Sequence, residues 1–193
     1  VTAPSFFGQA EASAIRASGV RMNKKQLILY KGKTSRITAM INPPDASGKS
    51  IRWTSSNSKI AKVDSTGRVT AKGYGEAVIR ASAKDGSGKF GTCKVTVPYR
   101  IRYVLNKGKN HKSNQAYYYN QKVTLKKPTR KGYYFKGWYQ DRKLKKKIST
   151  IKKGTKKNYK VFAKWSKVKV GSTWMYNLRN KRTRTVTFRW IKV

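Results

Sequence analysis

Groups able to do covalent or acid–base chemistry are scarce in this chain of 193 residues. It holds six carboxylates (Glu11, Asp45, Asp64, Glu76, Asp85 and Asp141), one histidine, His111, and one cysteine, Cys93. General acid–base catalysis needs positioned titratable partners, a nucleophile needs a base beside it, and a metal centre needs several converging His, Cys, Asp or Glu ligands. The six acids are scattered singly, so the sequence predicts no active site wholly inside the chain, no cofactor and no metal. Cys93 shares a strand face with Val95 and Val97 and reads as a small buried hydrophobe, since no histidine lies near it to activate a thiol. His111 sits among Lys and Asn and reads as solvated.

Cations are abundant. Lys and Arg total 47, of which 33 are Lys, and the formal net charge is +41. Residues 1–98 carry 17 bases against five acids, whereas residues 99–193 carry 30 against Asp141 alone. Four clusters stand out: Lys122, Lys126, Lys127, Arg130 and Lys131; Arg142, Lys143, Lys145, Lys146 and Lys147; Lys152, Lys153, Lys156, Lys157 and Lys160; and Arg179, Lys181, Arg182, Arg184 and Arg189. A surface of one sign repels itself and attracts polyanions. Lys acts as a hydrated point charge, while Arg makes planar, bidentate contacts, so Lys dominance predicts salt-sensitive and chemically tolerant binding rather than base-specific readout. The expected partners are anionic polysaccharides and cell-wall polymers such as teichoic acids, glycosaminoglycans and acidic glycans, with non-specific nucleic acid as the competing class. Tyr117, Tyr118, Tyr119, Tyr133, Tyr134 and Tyr139 are interleaved with these clusters and present rings that can stack on sugars or bases, but Phe135 and Trp138 read as core.

The elements that must carry these cations read as β-strands. From Val20 to Val97, short alternating runs are separated by turn chemistry about every ten residues, the pattern of an all-β sandwich. Leu27 with Leu29; Ile37, Ala39 and Ile41; Ile51 with Trp53; Val69 with Ala71; Ala77, Ile79 and Ala81; and Cys93, Val95 and Val97 form the inward sets. Asn42-Pro43-Pro44-Asp45 and Asp85-Gly86-Ser87-Gly88 supply breaks between them. Beyond Pro98 a second run of strands begins at Ile101–Leu105 and ends with Tyr159, Val161, Ala163 and Trp165 on one face. Two further alternating stretches, 172–180 and 185–190, read as a basic C-terminal hairpin or the start of a truncated third module.

Two stretches resemble known families. Leu29-Tyr30-Lys31-Gly32, Ile51-Arg52-Trp53-Thr54-Ser55-Ser56-Asn57, Ile60-Ala61-Lys62-Val63-Asp64, Gly67-Arg68-Val69-Thr70-Ala71 and Cys93-Lys94-Val95-Thr96-Val97 are collinear with a group 2 bacterial immunoglobulin-like domain over residues 20–97. Pro128-Thr129-Arg130-Lys131-Gly132-Tyr133-Tyr134-Phe135-Lys136-Gly137-Trp138-Tyr139, followed by Val161-Phe162-Ala163-Lys164-Trp165, resembles an internalin-type B-repeat, a small β-grasp module, over residues 98–169. The resemblances imply an immunoglobulin-like β-sandwich followed by a β-grasp-like repeat, both non-catalytic modules of secreted or surface-attached bacterial proteins, including adhesins.

The chain opens with Val, which predicts a natural start further upstream. Residues 1–19 read either as the tail of a secretion signal, with Ala10-Glu11-Ala12 in A-x-A form, or as an arm docked on the first module. No apolar run reaches the roughly 18 residues of a membrane-spanning helix. Three functional classes remain open: a non-catalytic surface protein that attaches to anionic polymers, a general nucleic-acid binder, and the accessory region of a larger surface enzyme.

Overall fold

The computed structural model describes residues 14–168 and, for backbone pairing alone, Thr173–Arg179 and Val186–Lys192. All regular elements among the described residues are strands, and the chain divides into two compact units, Val1–Tyr99 and Arg100–Val193. Pro98 lies between a strand ending at Val97 and one starting at Tyr99, and the division between the units falls after Tyr99.

The first unit is built from β1 (Gly19–Met22), β2 (Gln26–Ile28), β3 (Thr34–Arg36), β4 (Ala39–Asn42), β5 (Ile51–Ser55), β6 (Ala61–Val63), β7 (Arg68–Ala71), β8 (Gly75–Ala83) and β9 (Phe90–Val97). One sheet has the order β2-β9-β8-β5, a second has β3-β7-β6, and β1 pairs with β4. Strand alternation puts one set of side chains in the core and the other in water. Ile37, Val69, Ala71, Ala77, Ile79, Cys93, Val95 and Val97 are buried together, while Ile28 and Met40, one residue out of phase with the inward sets, are each 68% exposed. Most of the inward sets read from the sequence meet as one core, whereas Ala39, Ile41 and Ile51 are half-buried outside that cluster, and Ala81, though buried, lies outside it too. Parallel pairing of β2 with β9, Leu27 opposite Val95, was not legible, because it joins strands almost 70 residues apart.

The Asp64 turn shows how polar residues set this unit's geometry. Asp64 Oδ1 accepts hydrogen bonds from the Thr66 and Arg68 amides and from Thr66 Oγ1, and these donors hold its carboxyl below the ordinary value of 3.8. The turn ends at Gly67, at φ +78°, where an added Cβ would lie 2.4 Å from the Ile37 carbonyl oxygen and 2.9 Å from Trp53 Cζ2. Only glycine fits there without displacing backbone.

Of the segment expected to be a signal remnant or arm, residues 1–13 lie outside the described residues. Beyond them, Ile15 N donates to Ser47 Oγ, Ala17 N to Asp85 Oδ2 and Ser18 N to the Asn42 carbonyl, so residues 15–18 are bonded to the first unit.

The second unit takes β10 (Tyr99–Val104) from Arg100 on, β11 (Tyr117–Tyr118), β12 (Val123–Thr124), β13 (Tyr133–Tyr139), β14 (Lys147–Ile148), β15 (Thr150–Ile151) and β16 (Tyr159–Lys167). The main sheet has the order β11-β10-β16-β13-β14, and β12 pairs with β15 as a separate ribbon. Aromatic rings join the aliphatics Ile101, Ile151 and Val161 in the core: Trp138 is 1% exposed, with its ring edge-on to Tyr103 and Phe135 at centroid distances of 5.2 and 5.4 Å, and Phe135 meets Trp165 at 5.4 Å. Such pairs add about 0.5–1.5 kcal/mol each beyond area burial, which suits a core too small for aliphatics alone. Trp138 Nε1 and Trp165 Nε1 donate to the carbonyls of Lys126 and Leu105, so neither indole buries an unsatisfied donor. Burial also pushes the Tyr103 phenol up to about 12. Finally, β17 (Thr173–Arg179) and β18 (Val186–Lys192) pair antiparallel, Thr173 opposite Lys192, as the alternation in the sequence suggested.

Candidate polyanion-binding surface

Neutralisation within the molecule is the first question for a surface this cationic. Asp141 is the second unit's only acid. Its Oδ2 accepts from the Lys146 amide at 2.7 Å, and both oxygens face the Lys145 amide at 3.2 Å, which holds the carboxyl below its usual value of 3.8. The carboxylate closes a tight turn that brings Leu144 to φ +55° and is engaged by backbone amides rather than by an ammonium group. Among the described residues the one ion pair joins Lys94 Nζ to Glu76 Oε1 at 2.8 Å, in the first unit.

Strand pairing decides which lysines converge. In β13–β14, Tyr139 lies opposite Lys147 and Trp138 opposite Ile148; in the ribbon, Val123 lies opposite Ile151. Continuing that antiparallel register by one residue brings Lys122 beside Lys152. Lys122, Lys147, Lys152 and Lys153 accordingly line a single open hollow of about 780 Å³, with Ser149, Thr155 and Tyr159 among its other walls and no carboxylate among them. A smaller hollow of about 300 Å³ shares the Lys147–Ser149 wall and adds Lys127 and Lys136 above Leu125 and Trp138. Lys147 reaches both because its stem crosses Gly137, at φ +140°, where a Cβ would stand 2.7 Å from Lys147 Cε.

The remaining cations expected in the site are placed differently. Arg130 lies 3.6 Å over the Tyr133 ring and donates Nη1 to the Asn106 carbonyl at 3.0 Å, and Lys157 sits 4.8 Å over Tyr159, so both are partly engaged internally. Lys126 is exposed, and its backbone ties down Asn114 and Trp138. Lys131, Arg142, Lys143, Lys145, Lys146 and Lys156 are exposed and line neither hollow. Side chains of Arg179, Lys181, Arg182 and Arg184 lie outside the described residues. Sequence reading missed Lys136, and it missed the row on the outer sheet face where Arg102 lies opposite Lys160. Alternation along β10 and β16 was the available signal. Lys160 and Lys164 there cover the rings of Phe162 and Tyr139, at 5.4 Å each.

Of the interleaved tyrosines, Tyr118 is buried, Tyr117, Tyr119, Tyr133 and Tyr139 are half-buried, and Tyr134 is exposed. Cys93 is fully buried, and desolvation raises its thiol pKa. His111 is exposed and accepts the Ser113 amide on Nδ1 at 3.1 Å. No group of three or more His, Cys, Asp or Glu able to hold a metal is present among the described residues, and no helix there is long and apolar enough to cross a membrane.

Two all-β units whose polar groups serve turns, and whose surface offers cations rather than catalytic pairs, belong to the class of modular domains typically found in non-catalytic parts of proteins. Residues 17–95 match the bacterial Ig-like domain (group 2), and residues 99–164 match the Listeria-Bacteroides repeat domain. The second match corrects the expectation of an internalin B-repeat: the aromatic-glycine signature is shared by a broader repeat family. Such domains are typical of extracellular or surface proteins. The chain is 34% identical over 95 residues to an uncharacterized protein of Clostridium acetobutylicum, covering 49% of this chain and 10% of that protein. It is 37% identical over 93 residues to a lacto-N-biosidase of Bifidobacterium bifidum (48% of this chain, 8% of the enzyme). It is also 38% identical over 78 residues to an α-L-arabinofuranosidase of Bifidobacterium longum (40% and 7%). The similarity thus spans a tenth or less of each of these three proteins.

Proposed function

We propose that this chain is a non-catalytic binding region of a secreted or surface-attached bacterial protein, and that the second unit grips anionic polymers through lysines that the fold leaves unneutralised. The observation that carries this reading is the hollow lined by Lys122, Lys147, Lys152 and Lys153, in a unit whose single acid is bound to backbone amides. Ammonium groups clustered without carboxylates raise the local potential and hold a counterion atmosphere that a polyanion displaces. Teichoic acids, glycosaminoglycans and other acidic glycans have the required charge density.

A second reading is supported by the two glycosidases among the relatives: the region serves a larger surface enzyme as an accessory module, holding the enzyme near charged glycans. The two readings share the same binding chemistry and differ in what is attached to it.

Titration against heparin, teichoic acid and duplex DNA at several salt concentrations tests the proposal. Comparable affinities that fall together as salt rises are the expected result. Binding confined to nucleic acid and persisting at moderate salt would overturn it in favour of a nucleic-acid binder, and absence of binding to all three would remove polyanion attachment altogether.

A further inference from the structure

The first unit carries cations of a different kind. On the outer face of its four-stranded sheet, Arg52 lies opposite Ser82 and Thr54 opposite Arg80, while Ser82 lies opposite Phe90 on the next strand. Directly opposed residues have Cβ atoms about 4.5–5.5 Å apart, so Arg52, Ser82 and Phe90 form one row across the sheet. Arg80 leans into that row. Its Nε donates to Ser82 Oγ at 3.2 Å, and its guanidinium carbon stands 3.6 Å from the Phe90 ring centroid. Stacking and the Nε bond hold the Arg80 guanidinium over Phe90, on the β9 side of β8, and Arg80 and Arg52 line the same hollow.

Arg52, Arg80 and Ser82 border an open hollow of about 700 Å³, lined also by Thr54, Lys84 and the glycines of the Asp85–Gly88 turn. The amides of Gly86 and Gly88 meet no protein acceptor among the described residues. Three cations border the hollow and, among the described residues, no carboxylate does. Asp85, beside it in sequence, accepts hydrogen bonds from the Ala17 and Ser87 amides, and Glu76, on the same sheet face, is paired with Lys94.

Like charges on neighbouring strands repel, and an arginine held in one orientation has already lost the rotamer freedom that binding normally costs. An oxyanion bound in the hollow that both arginines line relieves the first term and benefits from the second. Guanidinium geometry selects planar or tetrahedral oxyanions through paired hydrogen bonds, which a lysine surface does not do. Thr54 and Ser82 hydroxyls add donors and acceptors suited to a polyhydroxylated ligand, and the hollow is within the size range of small-ligand sites.

We propose that the Arg52–Arg80–Lys84 hollow binds an oxyanion carried on a sugar, either a uronic carboxylate or a sulfate ester. The anion sits in the forks of Arg80 and Arg52, and the sugar hydroxyls face Thr54 and Ser82. This deepens the proposed attachment to acidic glycans, but it uses other residues on the other unit, so each can fail alone.

The test uses the full chain labelled with ¹⁵N, titrated separately with trigalacturonate, glucose 6-sulfate, inorganic sulfate and maltotriose. Expected are saturable shifts of the Arg80 Nε–H and the Gly86 and Gly88 amides with trigalacturonate, glucose 6-sulfate or both, which identifies the anion, and none with maltotriose. Arg80→Lys keeps the charge and removes the fork, and is expected to weaken binding about tenfold. Arg52→Gln should weaken it at least as much. The undisturbed remainder of each variant's amide spectrum reports an intact sandwich. The proposal is overturned if Arg80→Lys binds like the parent, if inorganic sulfate binds as tightly as the sugar anions, or if shifts map only to the second unit's lysines. That last outcome would leave the lysine reading standing.

Discussion

Replacing Lys122, Lys147, Lys152 and Lys153 together by Gln removes every cation from the larger hollow while sparing the core, since all four are exposed. On duplex DNA, used as a calibrating polyanion of known charge spacing, each lost phosphate contact flattens the slope of log K against log salt by about 0.9, so four give up to roughly 3.6. Between 50 and 200 mM salt that difference amounts to about a hundredfold: the parent loses that much more affinity than the variant. The control is Arg142, Lys143, Lys145 and Lys146 to Gln, which removes the same charge from residues outside both hollows and leaves the Asp141 turn its backbone amides. Fluorescence anisotropy at five or six salt concentrations measures both slopes. Focusing by the hollow requires the first variant to flatten the slope markedly more than the second. Equal slopes would refute that geometry and assign binding to smeared net charge.

Trp138→Ala should destabilise the second unit by about 3–5 kcal/mol, because a side chain packed against Tyr103 and Phe135 is lost and the Lys126 carbonyl loses its donor; urea unfolding followed by near-UV circular dichroism reads this. Gly67→Ala should lower the first unit's melting temperature, since at φ +78° the new methyl meets the Ile37 carbonyl oxygen and Trp53, and calorimetry would show the shift. Asp64, Asp85 and Asp141 all have lowered pKa values, with Asp85 at about 2 through its bonds from Ser87 and Ala17. A depressed carboxylate contributes stability that is complete above its unfolded value of 3.8 and lost as pH falls through the folded one. Urea midpoints should therefore hold steady down to about pH 5 and decline toward pH 2, with Asp85→Asn showing a shallower decline. Cys93, fully buried with its pKa raised, should resist a thiol-specific reagent in the native protein and react once denaturant is added.

Legibility from sequence followed the range of the interactions. Alternation in β8 and β9 reports directly which residues face inward, because a strand's period of two is a local property, and Ile79, Cys93 and Val95 are buried as that pattern requires. The excess of cations over acids, the lack of catalytic pairs and the aromatic-glycine stretch around Trp138 are also properties of composition and short spacing. Convergence is not. Lys122 meets Lys152 across 30 residues because the β12–β15 ribbon pairs in one register, and a slip of a single residue would send one of them to the opposite face. Within the second cluster, Lys147 reaches the hollow while Lys145 and Lys146 do not, since Asp141 closes a turn on their amides before β14 begins. Arg52 and Arg80 lie 28 residues apart and outside any basic run, and only β5–β8 pairing brings them to one hollow. The sequence alone determined how much uncompensated charge this protein carries and that β-strands carry it. Tertiary structure decided which charges stand together, because long-range strand register, and not proximity along the chain, sets the distance between side chains on a sheet.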